Sequence, residues 1–111
     1  MAREALGLLQ GTVDVLILKT LSWKPLHGYG ISEFIRQQTN GDLAVEDAAL
    51  YQALHRLERK GLVDSEWGIS DSNRRARFYS ITPDGRKQLR SEVVELRRYM
   101  AALFRVLEPA Q

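Results

Sequence analysis

Apolar residues recur along this chain at two periods, and the switch between them outlines the fold. Between Gly11 and Leu21 the residues Val13, Leu16, Ile17 and Leu21 fall at helical spacing, which predicts a first helix burying one face. Ser22 to Gly28 breaks it, because Pro25 disfavours helix in the residue before it and Gly28 adds backbone freedom. From Tyr29 to Gln38 the residues Ile31, Phe34 and Ile35 make a short second helix, stopped by Thr39-Asn40-Gly41-Asp42. A third runs from Asp47 to Lys60 on Leu50, Leu54 and Leu57, with Gly61 placed as its C-terminal cap.

After Gly61 the period changes. Leu62 to Trp67 and Arg75 to Ile81 are short and rich in β-branched and aromatic residues, which predicts a β-hairpin with a loose tip. Thr82-Pro83 then opens a last helix, the threonine as cap and the proline preset for the first turn. Along it Leu89, Val93, Leu96, Met100, Leu103 and Leu107 step by four and three, the spacing of a heptad seam. Pro109-Ala110-Gln111 reads as a frayed end. The expected fold is mostly α with a small β-hairpin: a winged helix-turn-helix over residues 1–82 plus a long C-terminal dimerisation helix over 83–111, in one compact unit.

Composition narrows the function classes. A chain of 111 residues, 44% hydrophobic and 27% charged, suits one folded domain. It has no cysteine, which excludes disulfides, thiolate metal sites and cysteine nucleophiles and makes the cytoplasm the expected compartment. The longest apolar stretch, Val15 to Leu18, is far short of the roughly 18 residues a membrane helix requires, and the segment Met1 to Leu9, with Glu4 early in it, reads as structural and not as a signal peptide. His27 and His55 have no carboxylate at metal or general-base spacing, so neither catalytic residues nor a metal or cofactor are expected. A net charge of +2 says little about partners; the position of the charge says more.

A helix fits the major groove of duplex DNA and presents side chains to base edges. On the third helix Ala49, Tyr51, Gln52, His55, Arg56 and Arg59 lie away from the three leucines, with Gln52 suited to adenine and Tyr51 and Arg56 to phosphates. The alternative is a solvated amphipathic face. In the hairpin, Arg74, Arg75 and Arg77 sit beside a flexible tip, placed to pair with phosphates or enter a narrow minor groove, or else to guard an exposed sheet edge. Parity puts Arg75, Arg77, Tyr79 and Ile81 on one side, so twist or a bulge is expected to separate contact from core. The seam helix predicts a homodimer with two recognition helices on one DNA face, or a helix that packs only on its own domain. Trp23 and Trp67 are expected to pack in the core or hairpin, with a pocket for a small hydrophobic effector near the dimer seam as the other reading.

Four segments together resemble the PadR-like family of bacterial transcriptional regulators, in particular its short members with a single C-terminal helix: Leu9 to Thr12, Pro25 to Ile31, Leu50 to Glu58 and Arg74 to Gly85. The resemblance implies a winged-helix repressor, dimeric through its C-terminal helix with help from the first, and released from promoters by an effector or signal. It implies DNA contacts from Tyr51 and its helical neighbours, from Arg74, Arg75 and Arg77, and from Tyr29 near the backbone. Glu46-Asp47-Ala48-Ala49 departs from the family's hydroxyl or glycine sequence at the start of the third helix, and Gln52 from its usual proline. Two carboxylates there would repel phosphates, so weaker or altered DNA preference is expected. Competing readings are a winged-helix protein-interaction module without direct DNA binding and, less supported, a small enzyme.

Overall fold

The computed structural model describes residues 5, 8 and 11–108. The readings of the N-terminal stretch as structural and of residues 109–111 as a frayed end therefore fall outside the described residues, apart from Ala5 and Leu8. The chain order is α1 (Thr12–Leu21), β1 (Leu26–His27), α2 (Gly28–Gln38), α3 (Asp47–Arg59), β2 (Val63–Ile69), β3 (Arg75–Ile81) and α4 (Pro83–Leu107). It is a winged helix-turn-helix with an added long helix.

α1 is the hub of the core, packed against α2, α3, β3 and α4. That surrounding explains why its burial is not the single stripe the periodicity suggests: Val15, Ile17, Leu18, Thr20 and Leu21 are buried, while Val13 and Leu16 are only half-buried. Thr20 is tolerated inside because its hydroxyl donates to the Leu16 carbonyl at 2.8 Å. Around α1 close Ile31 and Ile35 of α2, Val45, the four residues Leu50, Ala53, Leu54 and Leu57 of α3, and Val63, Tyr79 and Leu89.

The sheet has three strands in the order β1-β3-β2, all antiparallel, where the sequence suggested two. β1 is two residues long, Leu26 opposite Tyr79 and His27 opposite Phe78, too short to show a period. Its position after Pro25 suits an edge, where a missing N–H is harmless. The residue that ends β1 also begins α2, since the His27 Nδ1 accepts the Gly30 N–H at 3.0 Å as a helix cap.

β2 and β3 pair without interruption from Val63 opposite Ile81 to Ile69 opposite Arg75. No bulge separates Tyr79 and Ile81 from Arg75 and Arg77; the hairpin simply runs past the edge of the core, so one face is covered at its base and bare towards its tip. The tip is not loose either. The Ser70 N–H donates to the Arg74 carbonyl at 2.8 Å, the Asn73 N–H to the Ser70 carbonyl at 2.9 Å, and the Arg74 N–H to the Ser70 hydroxyl at 3.2 Å.

Two turns fix the outer elements to this frame. α3 ends in a Schellman arrangement: Gly61 has φ +74° and the Leu62 N–H returns to the Leu57 carbonyl at 3.0 Å. α4 starts on that turn, with the Thr82 hydroxyl donating to the Gly61 carbonyl at 2.8 Å and accepting the Gly85 N–H at 3.0 Å. Gly85 is pressed so closely that an added Cβ would lie 2.1 Å from the Leu62 carbonyl oxygen.

Candidate nucleic-acid interface

The N-terminus of α2, the outer side of α3 and the inner side of the hairpin, or wing, enclose a cleft of about 850 Å³. Tyr29, Tyr51, His55, Arg74, Arg75 and Arg77 all line it. Residues separated by some fifty positions in the chain are brought together because α2 and the wing are bridged by β1, which pairs with the same strand that carries the arginines.

On α3 the leucines face α1, leaving Ala49, Tyr51, Gln52, His55 and Arg59 exposed. Tyr51 is held in place by a gap: an added Cβ at Gly28 would lie 2.5 Å from its phenolic oxygen, so the ring rests against the bare backbone at the start of α2. Tyr29 stands exposed one residue further on, its ring 6.4 Å from that of His27. Glu46 and Asp47 are exposed at the start of α3, where Glu46 makes no side-chain cap.

Arg56 departs from the expected face. Its guanidinium turns onto α1, donating to both carboxylate oxygens of Asp14 at 2.5 and 3.3 Å, and that hydrogen bonding raises the guanidinium pKa further. The helical wheel places Arg56 at the edge of the polar arc beside buried Ala53, close enough to α1 for a partner 42 positions away to capture it.

The three wing arginines differ. Arg74 is exposed at the tip. Arg75 lies over the Trp67 ring, 4.5 Å from its centroid. Arg77 lies 5.6 Å from the same centroid, and its Nε–H donates to the Ser65 hydroxyl at 2.8 Å. Ser65 in turn donates to Glu58 of α3 at 2.6 Å, and a second Arg77 nitrogen sits 3.5 Å from the same Glu58 oxygen. Glu58 and Ser65 were missed from the sequence; the hairpin register sets Trp67 opposite Arg77 and so places Ser65, two residues before Trp67, on the same face, whereas Glu58 on α3 is brought in only by the tertiary fold.

Neither tryptophan packs in the core. Trp67 is 56% exposed and serves as the platform for the wing arginines, and Trp23 is exposed with its ring 6.4 Å from that of Phe34. Neither lines the second cleft, of about 560 Å³, which lies between the start of α1 and α4 and is walled by Val15, Leu96, Tyr99, Glu92 and Glu95.

The expected seam of α4 divides in two. Leu89 is buried and Val93 and Leu96 are half-buried against the body, whereas Met100, Leu103 and Leu107 are exposed, together with Tyr99, Phe104 and Val106. Among the described residues no helix is long and apolar enough to cross a membrane, and no three histidine or acidic side chains form a group that could hold a metal ion.

The profile of the transcriptional regulator PadR-like family matches residues 17–91. Among solved structures, a transcriptional regulator from Clostridium thermocellum is 32% identical, with 85% of this chain and 91% of that chain covered at a TM-score of 0.77. A PadR family transcription regulator from Clostridium difficile is 27% identical, with 87% and 99% covered at a TM-score of 0.75. Bacillus subtilis PadR, solved in complex with operator DNA, shares the fold at 19% identity and a TM-score of 0.66, over 75% of this chain and 47% of that one. With the family profile spanning more than half its length, the winged-helix chain belongs to the PadR-like family of transcriptional regulators.

Proposed function

We propose that this regulator binds duplex DNA as a cytoplasmic homodimer and represses transcription from a palindromic operator. The observation that carries the reading is the shared cleft: a helix with an exposed polar face and a wing with exposed arginines flank one opening. In this reading α3 enters the major groove with Ala49, Tyr51, Gln52, His55 and Arg59, while Arg74, Arg75 and Tyr29 meet the flanking backbone. The operator complex of Bacillus subtilis PadR supports DNA as the partner. The part up to residue 82 reads DNA, and residues 83–111 join two copies through Leu89, Val93, Leu96, Met100, Leu103 and Leu107. A small hydrophobic effector would enter the cleft between α1 and α4, where Val15, Leu96 and Tyr99 supply apolar walls.

The test is a fluorescence-anisotropy titration with duplex from the region upstream of its own gene and with scrambled duplex, at several salt concentrations. Tighter binding to the native duplex, with a salt slope that falls by about two in an Arg74→Ala, Arg75→Ala variant, is the expected result. Binding of neither duplex at low salt would move the weight to a protein-interaction module.

A further inference from the structure

Of the three wing arginines, Arg75 rests on the Trp67 ring, and Arg77 is the one held by a hydrogen bond and an ion pair. Its guanidinium is tied at 2.8 Å to Ser65 on the neighbouring strand and lies 3.5 Å from Glu58 on the recognition helix, and Ser65 donates to the same Glu58 oxygen at 2.6 Å. The proton inventory closes: the serine hydroxyl gives its one hydrogen to the carboxylate and uses a lone pair for the arginine Nε–H. The three side chains therefore form a triangle that joins wing to helix. Glu58 sits in the last turn of α3, beneath the wing, and not on the outward arc of Tyr51, Gln52 and His55.

Glu58 and Arg77 are each a third or more exposed, so as a pair they add little to stability. What the triangle can do is geometric. β2 follows α3 through a tight turn, and β1 holds β3 from the far edge as far as Phe78; on the side facing α3, the triangle at Ser65 and Arg77 ties the hairpin to Glu58 as it leaves the core. A wing that swings changes where Arg74 and Arg75 fall relative to bases read by α3, and contacts misplaced by an ångström lose much of their value.

We propose that Glu58 is a positioning residue for DNA binding, which clamps the wing to the recognition helix through Ser65 and Arg77, and that Arg77 serves the clamp and not a phosphate. This rests on the DNA-binding reading above. The opposite assignment has the opposite signature. If Arg77 met a phosphate, Glu58 would only compete with DNA for it, and its removal would tighten binding.

The full chain and its Glu58→Ala, Ser65→Ala, Arg77→Ala and Arg75→Ala variants are titrated with a duplex that the wild type enriches from a random pool, and with a scrambled duplex. The clamp predicts that the Glu58, Ser65 and Arg77 variants each bind the enriched duplex about tenfold more weakly, and that Glu58→Ala with Arg77→Ala is no weaker than either alone. Because a loosened wing misplaces the same Arg74 and Arg75 contacts in each, the three variants share one salt slope at or below the wild-type value, whereas Arg75→Ala, with the clamp intact, lowers it by about one. A slope lowered by about one in Arg77→Ala but not in Glu58→Ala and Ser65→Ala, or tighter binding by Glu58→Ala, overturns the proposal. Glu58→Gln, which keeps the side-chain volume, repeats the measurement should the alanine variant lose stability.

A second arm needs no DNA. Backbone amide order parameters are measured by NMR relaxation in the free protein. The clamp predicts lower values across residues 66–78 in the Glu58, Ser65 and Arg77 variants, with α3 unchanged. An unchanged wing overturns the clamp whatever the DNA arm shows. A wild-type chain that enriches no duplex overturns the DNA-binding reading instead, and the wing's order parameters then decide the clamp alone.

Discussion

At the scale of single residues, three positions turn packing into measurable behaviour. At Gly85 an added Cβ would meet the Leu62 carbonyl oxygen at 2.1 Å and Ile81 Cγ1 at 2.7 Å. The backbone cannot yield without moving the start of α4, so Gly85→Ala should destabilise the fold by about 3 kcal/mol, read from the urea midpoint. At Gly28 the obstructed atom is the far end of Tyr51, which can swing aside. Gly28→Ala should therefore leave the urea midpoint nearly unchanged yet weaken DNA binding about tenfold by displacing Tyr51 from the cleft; parallel losses of stability and binding would mark a folding effect instead. Tyr79 is 3% exposed, and burial is the main reason its phenol is held above the ordinary value of 10.0, with Glu58 and Tyr51 adding to the rise and Arg77 opposing it. Being raised on folding, it contributes stability that is whole below about pH 10 and lost as pH climbs through the folded value, because the unfolded chain ionises first. The drop in stability between neutral and strongly alkaline pH should be smaller in Tyr79→Phe than in the wild type, and an identical drop would show that the phenol is not protected.

At the scale of elements, legibility followed the number of residues over which a pattern can repeat. α2, α3 and α4 have enough turns to show their buried faces, and the caps at Gly61 and Thr82-Pro83 mark their ends chemically. β1 has no period to show, because its two residues are extended only by pairing with Tyr79 and Phe78 fifty positions later. α1 misled for a different reason: it is enclosed on several sides, so the stripe through Val13 and Leu16 is not its most buried face. The cleft residues on α3 were visible as polar positions between leucines, but their fates were not. Arg56 belongs to Asp14 and Arg77 to Glu58 and Ser65, and such long-range pairs are set by tertiary approach, which neither parity nor a helical wheel contains. Of the two places expected for Trp67, core or hairpin, the structure takes the hairpin, where the exposed π face carries the guanidinium groups of Arg75 and Arg77.

At the scale of the whole molecule, α4 is longer than its own domain can cover. Its 25 residues span about 37 Å, and only its first half rests on the body: Leu89 is 8% exposed, whereas Leu107, on the same seam, is 62% exposed. A continuous apolar surface of Met100, Leu103, Phe104 and Leu107 in water is unfavourable by the transfer energy of each side chain, and a second copy offers the same surface with two-fold symmetry. Pairing there would also tie two recognition helices together, so that the second half-site binds at a high effective concentration. Leu103→Glu places a charge in the middle of that surface while leaving Leu89, Val93 and Leu96 untouched, so the monomer should fold normally. Sedimentation equilibrium should show a dimer for the wild type and a dissociation constant raised at least about a hundredfold in the variant, as two carboxylates meet across the axis. On DNA, the variant should lose its preference for duplexes with two half-sites over one, and its salt slope should fall to about half, because each monomer then releases only its own counterions. A wild-type chain that sediments as a monomer and prefers paired half-sites no more than single ones would refute assembly through α4, and the exposed half of the helix would then have to serve a different protein.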